Sequence, residues 1–180
     1  ARSIARDLAA AGSPLAIEDL SRHRAKLVEP LLLRHSLGTV YNMPPPTQGV
    51  VSLLILGMLD ALEIGKTGPS GPDYVHLAVE ATKRAFALRD YCHPDPAYMP
   101  VDAQSLLTPK RIRELAANVD RGRALRWGGG KPPADTVWMG VVDAKGRSVS
   151  MIQSIYHEFG SGIVLEETGS NWQNRGCSFS

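Results

Sequence analysis

The sequence predicts an α+β fold, and three observations carry the prediction. Residues 74–90, YVHLAVEATKRAFALRD, repeat apolar side chains at Tyr74, Leu77, Ala78, Ala81, Ala85 and Leu88, the 3.6-residue period of an amphipathic helix. The run GVVSLLILGMLDAL (49–62) is apolar on every side, as a buried helix is. Two pairs of extended, partly β-branched runs (26–35 with 38–44, and 136–143 with 147–156) are joined by turns that hold Gly38 and Gly146, which predicts two hairpins.

The elements follow in order. SIARDLAAAG (3–12) reads as a helix closed by Gly12, and SPLAIEDLSRHR (13–24) as a second with Ser13 as N-cap and Pro14 in its first position. Pro30 is tolerable in the first hairpin only at an edge. MPPPTQG (43–49) is a stiff, extended loop, and Thr47 or Gln48 is the start of the apolar helix. A loop over 65–73 precedes the periodic helix, and the proline-punctuated CHPDPAYMPVD (92–102) follows it. A further helix runs through LLTPKRIRELAANV (106–119), with Thr108 as cap and Pro109 in its first position. DRGRALRWGGGKPPAD (120–135) has the charge, glycine and proline of an exposed, mobile linker. Gly146 suits the left-handed position of the second hairpin, whose returning strand runs on to FGSG at 159–162.

Composition narrows the function. The 180 residues with 43% hydrophobic content suit one domain with a sizeable core, and 20 Lys and Arg against 18 acids leave an interspersed charge of +2, which argues against nucleic acid as a partner. No apolar run reaches the roughly 20 residues of a membrane span, and 49–62 meets Asp60. Cys92 and Cys177 stand alone without CxxC spacing, which leaves one disulfide open and the compartment undecided between periplasm and cytoplasm. The chain opens on ARSIARD without methionine, so we expect a portion of a longer protein.

Several motifs carry no chemistry. GKT at 65–67 lacks the glycine a phosphate loop needs five residues earlier, where Asp60 stands. His23, His35, His76, His93 and His157 show no metal-ligand spacing and read as structural or exposed, and HPDP (93–96) reads as a turn. Thr136 is different. Asp-Thr at a strand start is ordinarily structural, but here a linker ends at Asp135 and a strand begins at Thr136. A threonine whose own α-amine is free can act as nucleophile without a histidine, because that amine is its base. The arrangement suits cleavage between Asp135 and Thr136, with one side held and the other able to depart.

AIEDLSRHRAKLVEP, NMPPPTQGVVSLLILGMLD, HLAVEATKRAFALRD, HPDPAYMPV, DTVWMGVVDAKGRSVSMIQS and FGSGIVLEETGSNWQNRG follow one another in the order of the γ-glutamyltranspeptidase family of N-terminal nucleophile hydrolases, which the chain resembles along nearly its whole length. The resemblance implies part of an αββα sandwich, incomplete in this chain. It implies self-cleavage of a precursor into large and small subunits, here 1–135 and 136–180, and acyl transfer from a small-molecule amide to water or an amine. Thr136 matches the nucleophile, and Ser154, in place of the usual threonine, matches the hydroxyl that orients it. Val137 and Trp138 replace the threonine and histidine that usually follow.

The substrate pocket departs further. Tyr156, Arg175 and Ser178 stand where the family's asparagine, Gln or Glu, and aspartate hold the substrate's α-amino group. Arg175 would repel that amine and welcome a carboxylate. The pattern looks more like the branch of cephalosporin acylases and γ-glutamyltransferase-like proteins, whose acyl groups are glutaryl-like. No metal or organic cofactor is implied. The family's carboxylate-gripping arginine matches a position before Ala1, and its serine pair and oxyanion glycines match positions after Ser180, so this chain alone is expected to be inactive. The readings left open are a γ-glutamyl enzyme, a glutaryl or cephalosporin acylase, and a non-catalytic, unprocessed piece that binds its missing parts or another copy.

Overall fold

The computed structural model describes residues 1–89, 98–127 and 136–178. They divide into two compact units, one from 27–127 and one that brings 1–26 together with 136–178.

The 27–127 unit holds the main core. Strands β1 (Leu31–His35) and β2 (Gly38–Asn42) pair antiparallel from Leu31 opposite Asn42 to His35 opposite Gly38, so the hairpin expected from the sequence turns through Ser36 and Leu37. Alternation along β1 sends Leu31 and Leu33 inward. Helix α3 (Gly49–Ala61) buries Val50, Val51, Leu53, Leu54 and Met58, as its apolar run requires. Thr47 prepares its start, because its Oγ1 accepts from Gly49 N–H at 3.2 Å. At the other end the Asp60 carboxylate accepts from Ser36 N–H at 2.9 Å and ties the hairpin turn to the helix. The free edge of β1 is closed by a side chain, since the Gln104 amide accepts from Leu32 N–H and donates to Leu32 C=O, both at 2.9 Å. It fills the place of a neighbouring strand, so an edge that would otherwise leave polar groups unpaired is satisfied.

Helix α4 (Pro72–Arg89) buries Leu77, Ala81 and Ala85 against that core, on the stripe the sequence predicts. Helix α5 (Pro109–Ala117) starts as read, with Thr108 Oγ1 accepting from Arg111 N–H. Its upstream Leu106 and Leu107 instead lie in a 3-10 turn, Ala103–Leu107. A second such turn, Ile64–Lys66, takes part of the stretch read as loop, and α4 begins at Pro72 inside that stretch. HPDP and Cys92 lie outside the described residues.

The stripe of α4 also carries a charge that periodicity passes over. Glu80 is 1% exposed. Its carboxylate accepts from Lys83 Nζ at 2.7 Å, from Arg84 Nη1 at 2.9 Å and from Leu125 N–H at 3.1 and 3.2 Å, while Lys83 also donates to Leu125 C=O at 2.7 Å. Burial by itself would raise the acid's pKa, yet the bonds from Lys83, Arg84 and Leu125 outweigh it and hold the pKa at about 2. These bonds reach into the stretch 120–135 that the sequence reads as a linker; its first half is 120–127. That half is exposed but anchored, with Arg121 donating to Leu62 C=O at 2.7 Å and the Trp127 ring 6.4 Å from that of Phe86. Residues 128–135 lie outside the described residues.

In the other unit, helix α1 (Arg2–Ala10) ends as expected at Gly12, with Gly12 N–H bonded to Ala9 C=O and Ser13 N–H to Leu8 C=O, a Schellman closure. Helix α2 (Ile17–Arg22) is a correction, because it starts later than Ser13 and Pro14 suggest. Ser13 spends its hydroxyl on Leu15 N–H, and Asp19 reaches back to Ala16 N–H at 2.9 Å to close the true N-terminus. Arg6 pairs with Glu167, and Asp7 accepts from Glu167 N–H at 3.1 Å. Strands β3 (Val137–Val142) and β4 (Ser148–Gln153) form the second hairpin, with Gly146 at φ 77° in its turn. Every residue of both strands is exposed, including Trp138 at 64% and Ile152 at 68%. The described strands therefore make two separate two-stranded sheets.

Candidate active site

The pairing of β3 with β4 decides what Thr136 meets. Val137 lies opposite Gln153 and Trp138 opposite Ile152, so the same register, continued one residue outward, sets Thr136 opposite Ser154. Their hydroxyls meet, with Thr136 Oγ1 donating to Ser154 Oγ at 3.1 Å. The same Ser154 oxygen accepts from Tyr156 N–H at 3.0 Å. That second bond bends the chain out of the sheet, and Tyr156 takes φ 81°. Strand β4 thus stops at Gln153, short of the FGSG at 159–162 to which the sequence reading carries it.

Trp138 shares a face with Thr136, since alternate residues of a strand point the same way. Its indole Nε1 donates to Ser150 Oγ at 2.9 Å, and its ring lies so close over Gly140 that a Cβ there would sit 2.7 Å from it. The ring therefore leans along the strand away from Thr136. Thr136 itself is exposed.

Tyr156 is bulky for a positive φ, a conformation that persists only when neighbours determine it. Here both flanks are held. Asn174 N–H donates to Ile155 C=O at 3.2 Å, His157 N–H donates to Asn174 Oδ1 at 3.1 Å, and Asn174 Nδ2 lies 2.8 Å from His157 Nδ1. Further on, Trp172 C=O accepts from Ser161 N–H and Ser161 Oγ, both at 2.8 Å. Gly160 makes this clamp close, because a Cβ at its φ of 57° would stand 2.4 Å from Trp172 O. The clamp brings Arg175 onto Tyr156, the guanidinium carbon 5.6 Å from the ring centroid, while the His157 ring stacks on the same phenol at 4.9 Å and 29°.

Of the residues singled out in the sequence, Thr136, Ser154, Tyr156 and Arg175 are therefore linked by successive contacts. Ser178 belongs by its main chain to the 3-10 turn Arg175–Ser178, and its side chain lies outside what is described. Asp135 lies outside the described residues too. Sequence reasoning passed over Asn174, whose only signal was its place beside Arg175, and over His157, which read as structural or exposed. Cys177 is an exposed, free thiol. Among the described residues no group of three or more His, Cys, Asp or Glu could hold a metal ion, and no helix is long and apolar enough to cross a membrane.

The Gamma-glutamyltranspeptidase family profile matches residues 1–180. The chain is 54% identical over 180 residues to the oxamate amidohydrolase proenzyme of Klebsiella pneumoniae, covering all of this chain and 34% of that protein. It is 35% identical over 170 residues to the glutathione hydrolase-like YwrD proenzyme of Bacillus subtilis, covering 94% of this chain and 32% of that one. The crystal structure of cephalosporin acylase from Bacillus halodurans superposes with a TM-score of 0.80 at 31% identity, over 97% of this chain and 32% of that chain. The chain thus spans about a third of the length of these relatives. Matched from end to end by one profile, the chain belongs to the γ-glutamyltranspeptidase family.

Proposed function

We propose that the protein containing this chain is a self-processing amidohydrolase in which Thr136 is nucleophile and, through its own α-amine, base. The observation that carries the reading is the 3.1 Å contact between the Thr136 and Ser154 hydroxyls. In processing, Thr136 Oγ1 attacks the Asp135 carbonyl, the peptide C–N bond breaks as an ester forms, and the nitrogen takes the hydroxyl proton. Water then opens the ester, which releases Asp135 as a carboxylate and leaves Thr136 with a free amine. In turnover the amine accepts the hydroxyl proton as the oxygen attacks a substrate amide, and returns it to the departing nitrogen. Water hydrolyses the resulting ester. Ser154 holds the attacking oxygen in line, and Tyr156, Arg175 and Ser178 shape the acyl pocket.

The substrate we favour is a small amide whose acyl part bears a carboxylate, such as oxamate. Two considerations support this. The three groups that would receive an α-ammonium are replaced, with a guanidinium among the replacements, and a relative of 54% identity is named for oxamate hydrolysis. A glutaryl or cephalosporin-type acyl group is the second reading, favoured by the likeness to a cephalosporin acylase.

Full-length protein assayed against oxamate, a glutaryl anilide and a γ-glutamyl anilide separates these readings. A preference for the γ-glutamyl donor would overturn the role given to Arg175. Replacing Arg175 by Gln should raise KM for the preferred anionic substrate roughly 10- to 100-fold, the worth of one hydrogen bond to a charged group, with kcat changed far less.

A further inference from the structure

We propose that His157 is a second specificity-determining residue, whose Nε2–H joins the Arg175 guanidinium in binding the substrate's carboxylate. The inference rests on the anionic-substrate reading above and adds a group to it.

The argument begins with Asn174. Its carbonyl oxygen is committed to His157 N–H at 3.1 Å, which turns its NH2 end toward the ring of the same histidine. That NH2 lies 2.8 Å from Nδ1 and can only donate, so Nδ1 is the acceptor. This bonding assigns the ring's proton to Nε2, on the far side of the ring from Asn174. The asparagine thus acts on the tautomer through two bonds to a single residue, one to its backbone and one to its side chain.

Position supplies the rest. The His157 ring stacks on Tyr156, and Arg175 rests on the same phenol. Tyr156 is itself held at a positive φ by the oxygen that orients Thr136. A cationic fork and an N–H donor are therefore mounted on one rigid aromatic ring, two residues along the chain from the nucleophile's partner. His157 is exposed, and its bonds to Asn174 leave Nε2 to other partners. A carboxylate has two oxygens with about four acceptor sites, enough to take a fork and a single donor together.

The test compares oxamate with oxamide, its neutral analogue with a second amide in place of the carboxylate, as substrates of full-length processed protein. His157→Phe keeps a ring to stack on Tyr156 and removes the donor. We expect KM for oxamate to rise roughly 10- to 100-fold with kcat within a few-fold, and the loss for oxamide, whose amide oxygen is an uncharged and weaker acceptor, to be smaller. His157→Gln, which restores an N–H donor, should recover part of the loss. If His157→Phe lowers kcat/KM for oxamate and oxamide equally, or leaves the oxamate KM unchanged, the role of His157 is overturned while the anionic-substrate reading stands. If the wild-type protein itself prefers oxamide, that reading fails and this inference fails with it.

Discussion

Full-length protein carrying Thr136→Ala should persist as one uncut chain and show no amidase activity, with kcat lower by on the order of 10⁶ if residual turnover is detectable. The size of the effect follows from one side chain serving two reactions. The oxygen that would break the 135–136 bond is the oxygen that would attack substrate, and its base is the amine which that cleavage exposes. Losing the hydroxyl removes the nucleophile and also leaves the amine locked in a peptide bond. Denaturing electrophoresis and mass spectrometry check the first consequence, and amide hydrolysis the second. Thr136→Ser should restore both in part. Ser154→Ala should slow both without abolishing either, since it removes one hydrogen bond of 3.1 Å and no reacting atom. Turnover that survives Thr136→Ala would end the proposal.

The second large effect concerns stability. Glu80→Ala should destabilise the 27–127 unit by about 3–5 kcal/mol, because it strands two cations and a main-chain donor. The Lys83 and Arg84 side chains are only 15% and 14% exposed, and Leu125 N–H would lose its acceptor. The same carboxylate makes stability depend on pH. Its folded pKa of about 2 lies below the ordinary 4.5, so between those values the unfolded chain binds more protons than the folded one. The stabilisation is fully present above about pH 5 and is lost as pH falls through the folded value near 2, a difference of roughly 3 kcal/mol. Glu80→Gln keeps the shape and cannot titrate, so its stability should vary less over that window. Denaturant melts of both proteins from pH 2 to 7 would show this. A stability gap that stays constant across the range would rule it out.

Helices whose signals are local were legible in the sequence. The period along α4, the apolar run of α3 and the Thr108-Pro109 start of α5 are each written in adjacent residues. The facing of Thr136 and Ser154 was legible as well, but through the family resemblance and the hairpin turn, not from periodicity. What escaped depends on partners far along the chain. Glu80 looks like an ordinary solvent-facing acid until Leu125 N–H arrives from 45 residues away, although Lys83 and Arg84 at i+3 and i+4 hinted at a paired site. The contacts of 120–127 were illegible for the same reason, since its glycine and charges carry no trace of the Glu80 carboxylate they meet. Ser13 was a plausible cap that lost to Asp19, because a side chain three residues into the helix reached the Ala16 N–H instead. Tyr156 could not be read as a left-handed position, since bulky residues avoid that region unless held there, and the holders are Ser154 and Asn174.

The turn between β3 and β4 is built on Asp143, which accepts from Lys145 N–H and Arg147 N–H at 2.9 Å each and from Arg147 Nε at 2.6 Å. The number of residues it spans sets which residue at the end of β4 faces Thr136. Thr136 and Ser154 are 18 positions apart, and a strand's side chains alternate by parity. Deleting one residue among 144–146 would slide β4 by a step and present the opposite face to Thr136. Both hydroxyls would survive in the sequence and never meet, so the uncut precursor should accumulate from a shortened loop as surely as from a lost nucleophile.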